Sequence, residues 1–332
     1  MAKLRYEDWK PTGDSAVLLR AAVRVCEEYA ADGYDLTLRQ LYYQFVSRGW
    51  ISNEQRSYKR LGDIVNRGRM AGYIDWDHIT DRTRNLVSNP HWDDAGDLME
   101  GAARGFGMDL WEDQDTRVEI WVEKEALAGV VERVARRWDC SYFSCRGYVS
   151  SSEQWAAGRR IGRYLMGGQD VVILHLGDHD PSGIDMTRDI NDRIRTFLTG
   201  DKVRALISDG FNYDNDPETM IGMVGEHLER FEVKRIALNM DQIEQYEPPP
   251  NPTKLTDSRA SGYVENFGYE SWELDALDPR TLDALIEEHI VELVDDDRFD
   301  TATELRENIR AGITELAGRD WGDIIDFLES TR

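Results

Sequence analysis

Val171-Val172-Ile173-Leu174-His175-Leu176-Gly177-Asp178-His179-Asp180-Pro181-Ser182-Gly183-Ile184 is the stretch that decides the fold. Its first part is a continuous apolar run, which predicts a strand buried on both faces, as in a parallel sheet. Gly177-Asp178 ends the strand, and Pro181-Ser182 opens a helix whose Ile184, Ile190, Ile194 and Phe197 point inward. Upstream, Val118, Ile120 and Val122 predict a strand ending near Glu123, and Leu127, Val130, Val131, Val134 and Trp138 repeat at helical spacing. Ser141-Tyr142-Phe143 begins a second strand that ends in Arg146-Gly147-Tyr148, a helix covers 152–166, and Phe231 to Asn239 supplies a fourth strand. This βαβαβ order predicts an α/β fold, an open parallel sheet with ligands at the carboxyl ends of its strands.

Two of those ends carry acids: Glu123 after the first strand, Asp178 and Asp180 after the buried one. Carboxylates at neighbouring strand ends share a crevice and repel one another unless a cation lies between them. Hard oxygen donors without a thiol favour Mg²⁺ or Mn²⁺. Singly, Asp180 reads equally as a helix cap and Glu123 as a solvated strand end; the combination carries the metal expectation.

The N-terminal stretch is helical. Leu18, Ala21, Ala22, Val25 and Tyr29 form a stripe that Asp32-Gly33 stops, and Thr37-Leu38-Arg39-Gln40 is a capping-box pattern with Gly49 as the far cap. A third helix over Ser57 to Met70 sets Tyr58, Leu61 and Val65 against Lys59, Arg60, Asn66 and Arg67. Gly72 to Ile79 then alternates like a short ribbon. Three helices and a ribbon, with bases on the third helix, suit a winged-helix-like DNA-binding domain contacting duplex through Lys59, Arg60 and Arg67; a small helical domain with a solvated charged face fits the same composition. On the second helix, a turn of about 100° per residue puts Tyr42 on the apolar face with Leu38, Leu41, Phe45 and Val46. Tyr43 falls on the opposite face with Arg39, Gln40 and Ser47, an exposed phenol beside a guanidinium able to hold a phosphate and favour the phenolate.

The formal charge of −24 over 332 residues opposes nucleic-acid binding at first sight. Its distribution answers this. Glu270 to Arg332 holds 19 acids and 6 bases, whereas Arg39 to Arg84 holds 9 bases and 5 acids. Only 7 of the 40 bases are Lys, a balance that suits a high-salt cytoplasm or a GC-rich genome. With 41% hydrophobic residues the chain can bury a sizeable core. Three cysteines without a C-x-x-C pair point to neither a disulfide framework nor a structural zinc. No long apolar run predicts a membrane span and the N-terminus is polar, so a cytoplasmic protein is expected. Punctuation divides the chain into a winged-helix-like domain (1–90), a linker (91–115), a metal-binding α/β domain (116–246), and a Pro-rich connection with an acidic helical region (247–332).

Glu after a first strand and Asp-x-Asp after a later one resembles the Toprim fold. Val122-Glu123-Lys124, Arg146-Gly147-Tyr148 and Asp178-His179-Asp180-Pro181-Ser182-Gly183-Ile184 look most like the family of the topoisomerase VI DNA-cleaving chain (its A-type chain) and the related meiotic double-strand-break transesterase. Arg39-Gln40-Leu41-Tyr42-Tyr43 matches that family's Arg-x-x-Tyr-Tyr. The resemblance implies that Tyr43 attacks double-stranded DNA, leaving a 5′-phosphotyrosyl link and a free 3′-OH, while Glu123, Asp178 and Asp180 bind Mg²⁺. It also implies a homodimer in which the tyrosine of one protomer works with the metal site of the other. Nothing resembles the ATPase B-type subunit that drives strand passage, so a stand-alone mini-A form or a separate ATPase partner is expected. Two further readings stay open: a Toprim endonuclease using metal-activated water, and a non-enzymatic DNA-binding or assembly factor. His179 is expected to be a bystander, and Trp272-Glu273-Leu274-Asp275-Ala276-Leu277 looks motif-like without an assigned mechanism.

Overall fold

A computed structural model describes residues 3–80, 89, 91–93, 95–198, 228–317 and 330. Parts of each expected region, namely 81–88, 199–227 and most of the tail beyond 317, lie outside the described residues. The chain separates into two compact units, residues 1–84 with 118–292, and residues 85–117 with 293–332.

Three helices open the first unit: α1 (Gly13–Ala31), α2 (Leu38–Ser47) and α3 (Gln55–Met70). α1 buries Leu19, Ala22, Val25, Cys26 and Tyr29 and stops where Gly33 takes a left-handed φ of +79°. The capping box at α2 is formed as expected: Thr37 Oγ1 accepts from the Gln40 amide at 3.2 Å, and the Gln40 side chain accepts from the Thr37 amide at 2.8 Å. The three helices close on Tyr29, Leu41, Phe45, Leu61, Val65 and Ile74. The expected ribbon is corrected. Asp75 Oδ1 accepts from the Asp77 amide at 3.1 Å and winds Trp76–His78 into a 3-10 turn, leaving only isolated bridges, Leu36 with Ile79 and Arg5 with Ala71, among the described residues.

The sheet forms where the apolar runs predict it. Its strands are β1 (Thr116–Val122), β2 (Ser141–Ser144), β3 (Asp170–Leu176) and β4 (Phe231–Ala237), parallel and in the order β2-β1-β3-β4. Between them run α5 (Ala128–Arg137), α6 (Ser151–Met166) and α7 (Pro181–Leu198). From Val171 to Leu176, β3 is buried throughout, which accounts for its lack of alternation. Trp121, Ile161, Ile173, Ile190, Ile194 and Phe231 form the core around it. From β1 the chain turns one way to β2 and later the other way to β3, so the crevice between the ends of β1 and β3 is a topological switch point, where open α/β sheets bind ligands.

After β4 come α8 (Met240–Tyr246), the antiparallel pair Asn251–Pro252 and Glu270–Ser271, α9 (Ala260–Phe267) and α10 (Pro279–Val291). This connection returns to the N-terminal helices: Tyr29 donates to Asp278 at 2.5 Å, and the Arg280 guanidinium stacks 4.5 Å over the Tyr29 ring. The helices at 1–84 and the sheet therefore fall in one compact unit.

In the second unit the stretch expected as linker contains a helix, α4 (Ala95–Gly105), which packs on the long C-terminal helix α11 (Asp296–Ala317). Gln114 ties the unit by donating to the Asp295 carbonyl at 2.9 Å and accepting from the Asp295 amide at 2.7 Å. Cys26, Cys140 and Cys145 are buried, and no described helix is long and apolar enough to cross a membrane.

Candidate functional site

The switch point gathers the expected acids. Glu123 follows β1, and its Oε2 accepts the Asp178 amide at 2.8 Å, pinning one strand end to the other. Asp180 caps α7, its Oδ1 accepting from the Ser182 hydroxyl at 2.8 Å and the Gly183 amide at 2.6 Å. Gly183 is required here, and Gly177 is close-packed. A Cβ on Gly177 would approach Glu123 Oε2 to 3.0 Å, and one on Gly183 would come within 2.2 Å of the Asp178 carbonyl oxygen. Burial and the neighbouring Asp178 carboxylate push the Glu123 carboxyl up, and burial does the same to Asp178 despite Lys124.

Four residues that sequence reasoning left without a role complete this centre. Lys124 Nζ lies 3.0 Å from Asp178 Oδ1, 2.9 Å from Glu273 Oε2 and 2.9 Å from Asp275 Oδ1. Burial alone would lower the Lys124 ammonium, but Asp275, Asp178 and Glu273 outweigh it and hold the group charged. Glu273 and Asp275 come from the motif-like Trp272–Leu277 stretch. Paired backbone bonds between His179 and Trp272, at 2.8 and 2.9 Å, and the Leu274 amide donating to Asp178 Oδ1 at 2.8 Å deliver that stretch to the crevice. Arg235, in β4, donates to the carbonyls of Gly177, Asp178 and Gly183 at 2.9, 2.7 and 2.9 Å and so fixes the turn between β3 and α7. Arg235 stands next to Lys234 in a strand that also carries Glu232, so no local signal singled it out; for Lys124 the signal was the Glu-Lys-Glu wording.

The expectation for Tyr43 is corrected in its exposure. Tyr43 is 3% exposed, and Gln40 and Gln44 beside it are buried too. The turn Leu274–Ala276 covers the polar face of α2, a partner more than two hundred residues away that a helical wheel cannot supply. On that face Arg39 Nη2 pairs with Glu273 Oε2 at 2.7 Å, and Arg39 Nε lies 3.2 Å from Asp275 Oδ2. Burial, Asp275 and Glu273 together push the Tyr43 phenol up to about 12, outweighing Arg39, so the guanidinium does not produce the expected phenolate in the resting chain. Tyr42 is buried as expected, donating to Asn53 Oδ1 at 2.9 Å.

Tyr43 is thus linked to Asp178 within one chain: phenol against Arg39, Glu273 and Asp275; Glu273 and Asp275 against Lys124; Lys124 against Asp178. Lys59, Arg60 and Arg67 lie on the exposed face of α3, where Arg60 reaches Asp14 at 3.5 Å and Arg67 stacks 4.4 Å over Trp9. A cleft of about 400 Å³, lined by Arg39, Tyr58, Asn66, Arg69, Thr80 and Ala126, connects α3 with Arg39. His179 is buried, pushed down to about 4 by burial and Arg235, and bonded at Nδ1 to the Tyr263 hydroxyl at 2.7 Å.

A divalent cation fits the donor chemistry here more closely than the present geometry. Glu123, Asp178 and Asp180 each use one oxygen within the chain, and the second oxygen of each accepts no hydrogen bond among the described residues. They are hard donors that repel one another. As the side chains stand, however, no group of three His, Cys, Asp or Glu among the described residues is gathered around one point, and the cation among the acids is Lys124.

No family model and no curated protein matches this chain.

Proposed function

We propose that the protein cleaves double-stranded DNA by tyrosine transesterification, with Tyr43 and the acid crevice of one chain forming a single site. The observation that carries this reading is the convergence of Arg39-x-x-Tyr42-Tyr43 with Glu123-Lys124 and Asp178-x-Asp180 through Glu273 and Asp275. Motifs far apart in sequence meet in one partly buried charge network at a topological switch point, where perturbed groups mark functional sites.

In the proposed reaction, Tyr43 Oη bonds to a backbone phosphorus and its proton passes to water, while Asp275 stays paired with Arg39 and Lys124. The P–O3′ bond breaks, the 3′ oxygen takes up a proton from water, and the DNA 5′ end stays on the tyrosine. Arg39 and Lys124 offset the phosphate charge, and the bases of α3 hold the duplex. Glu123, Asp178 and Asp180 would hold Mg²⁺ or Mn²⁺, which when bound stabilises charge developing on phosphate oxygens.

The burial of Tyr43 favours one second reading, a Toprim-like nuclease in which water is the nucleophile and Tyr43 is structural. Supercoiled plasmid, Mg²⁺ or Mn²⁺ and an SDS quench, analysed with and without protease, separate the two. Transesterification requires protein-linked ends that vanish in both Tyr43→Phe and Asp178→Ala. Clean ends that persist in Tyr43→Phe establish hydrolysis, and no cleavage under any of these conditions removes both.

A further inference from the structure

Glu273 Oε2 is gripped by two cations at once, Arg39 Nη2 at 2.7 Å and Lys124 Nζ at 2.9 Å. A guanidinium and an ammonium converging on one oxygen are the donors that hold a phosphodiester: the planar fork matches phosphate oxygens, and the ammonium adds a compact charge. We infer that Arg39 and Lys124 form the binding site for the scissile phosphate, and that the Glu273 carboxylate occupies this site as an internal anion until DNA displaces it.

The two acids that pair with both of these cations, Glu273 and Asp275, differ in the property that matters. The Asp275 side chain is 1% exposed and contacts both Lys124 and Arg39, so it stays as their permanent counter-ion. The Glu273 side chain is 27% exposed and can swing into solvent. Exchanging one monoanion, the carboxylate, for another, the phosphodiester, leaves the charge of the cluster unchanged, so no uncompensated buried charge is created. Arg39 also lines a cleft shared with Tyr58, Asn66 and Arg69 of α3, which gives a strand bound there a route to the cation pair. The phosphate would then lie against the guanidinium that touches Tyr43. The burial of the phenol in the resting chain is, on this account, the closed state of the site.

This inference rests on DNA being the ligand but not on the chemistry that follows, so its test reads binding alone. A fluorescent duplex is titrated in EDTA with wild type, Glu273→Gln, Glu273→Gln/Arg39→Ala, and Glu288→Gln, an acid on α10 outside this cluster that changes net charge equally. Removing the internal anion should tighten binding by about tenfold, the scale of one charge-assisted bond to a competing group. The gain should vanish in the double variant and be absent in Glu288→Gln. Arg39→Ala alone should weaken binding and lower the slope of log K against log salt by about 1; this keeps the inference testable should Glu273→Gln unfold. Affinity of Glu273→Gln equal to or below wild type, or an equal gain in Glu288→Gln, overturns the inference even where the wild type cleaves DNA. Tighter binding without any cleavage keeps it and removes the transesterase reading instead.

Discussion

Replacing Gly183 by alanine should unfold the site from its tightest point. The added Cβ would lie 2.2 Å from the Asp178 carbonyl oxygen, 3.0 Å from its carbon and 3.1 Å from Glu123 Oε2. Carbon and oxygen do not approach within about 3 Å without a bond, and two of these obstacles are backbone, so the first turn of α7 must lift by about 1 Å. Overpacking of this kind costs about 1–3 kcal/mol. Lifting the turn also strains the Gly183 amide bond to Asp180 (2.6 Å) and the Arg235 bond to the Gly183 carbonyl (2.9 Å), each worth about 1 kcal/mol. Alanine returns about 1 kcal/mol through helix propensity. The net loss is about 2–4 kcal/mol, a fall in Tm of roughly 5–15 °C for a unit of this size. Gly262, in α9 with nothing within 4 Å of its would-be Cβ, is the control: Gly262→Ala should stabilise by about 0.5–1 kcal/mol. Thermal unfolding of the three proteins decides it. If Gly183→Ala melts with the wild type, the close approach of α7 to the end of β3 is wrong, and the pinned geometry of Asp178 and Asp180 falls with it.

Lys124→Met should lower stability by about 3–5 kcal/mol in urea unfolding, since Asp178, Glu273 and Asp275 lose their shared cation; a loss under about 1 kcal/mol would show the carboxylates to be solvated. Acid should destabilise the protein in part through His175, fully buried and pushed down to about 3 by burial and Arg235. Because its folded value lies below the unfolded one, its contribution is complete above about pH 6.5 and declines as pH falls toward 3, reaching about 2 kcal/mol lost at pH 5. His175→Gln should remove that share of the slope between pH 7 and pH 5, and an unchanged slope would contradict it. Mixing Tyr43→Phe with Asp178→Ala should not restore plasmid cleavage, because tyrosine and acids meet within one chain; recovery on mixing would instead support the trans-acting homodimer that the family resemblance implies.

The sheet was legible because its signals are local: an unbroken apolar strand, Gly-Asp to stop it and Pro-Ser to restart a helix are all read within a few residues of each other. The acids at the strand ends follow from that order of elements. The missed half of the centre depends on distant contacts. Glu273 and Asp275 sit in a short stretch whose sequence shows only alternating acids and apolar residues, and its role emerges once the His179–Trp272 bridge sets it over the switch point. The same contact hides Tyr43, which the helical wheel set on an exposed face but which packs into the core of the N-terminal helices beneath the turn Leu274–Ala276, a cover remote in sequence. The ribbon failed for a local reason, since Asp75 turns the chain on itself before a strand can pair.

The most direct test of the central claim is the chemical identity of the DNA adduct. Protein incubated with a duplex and Mg²⁺ or Mn²⁺ would be denatured, digested with nuclease and protease, and its tyrosine peptides examined by mass spectrometry. The account predicts a nucleotide 5′-phosphate on Tyr43, with Tyr42 unmodified. Cleaved DNA with every tyrosine unmodified, or an adduct on any other residue, would contradict it.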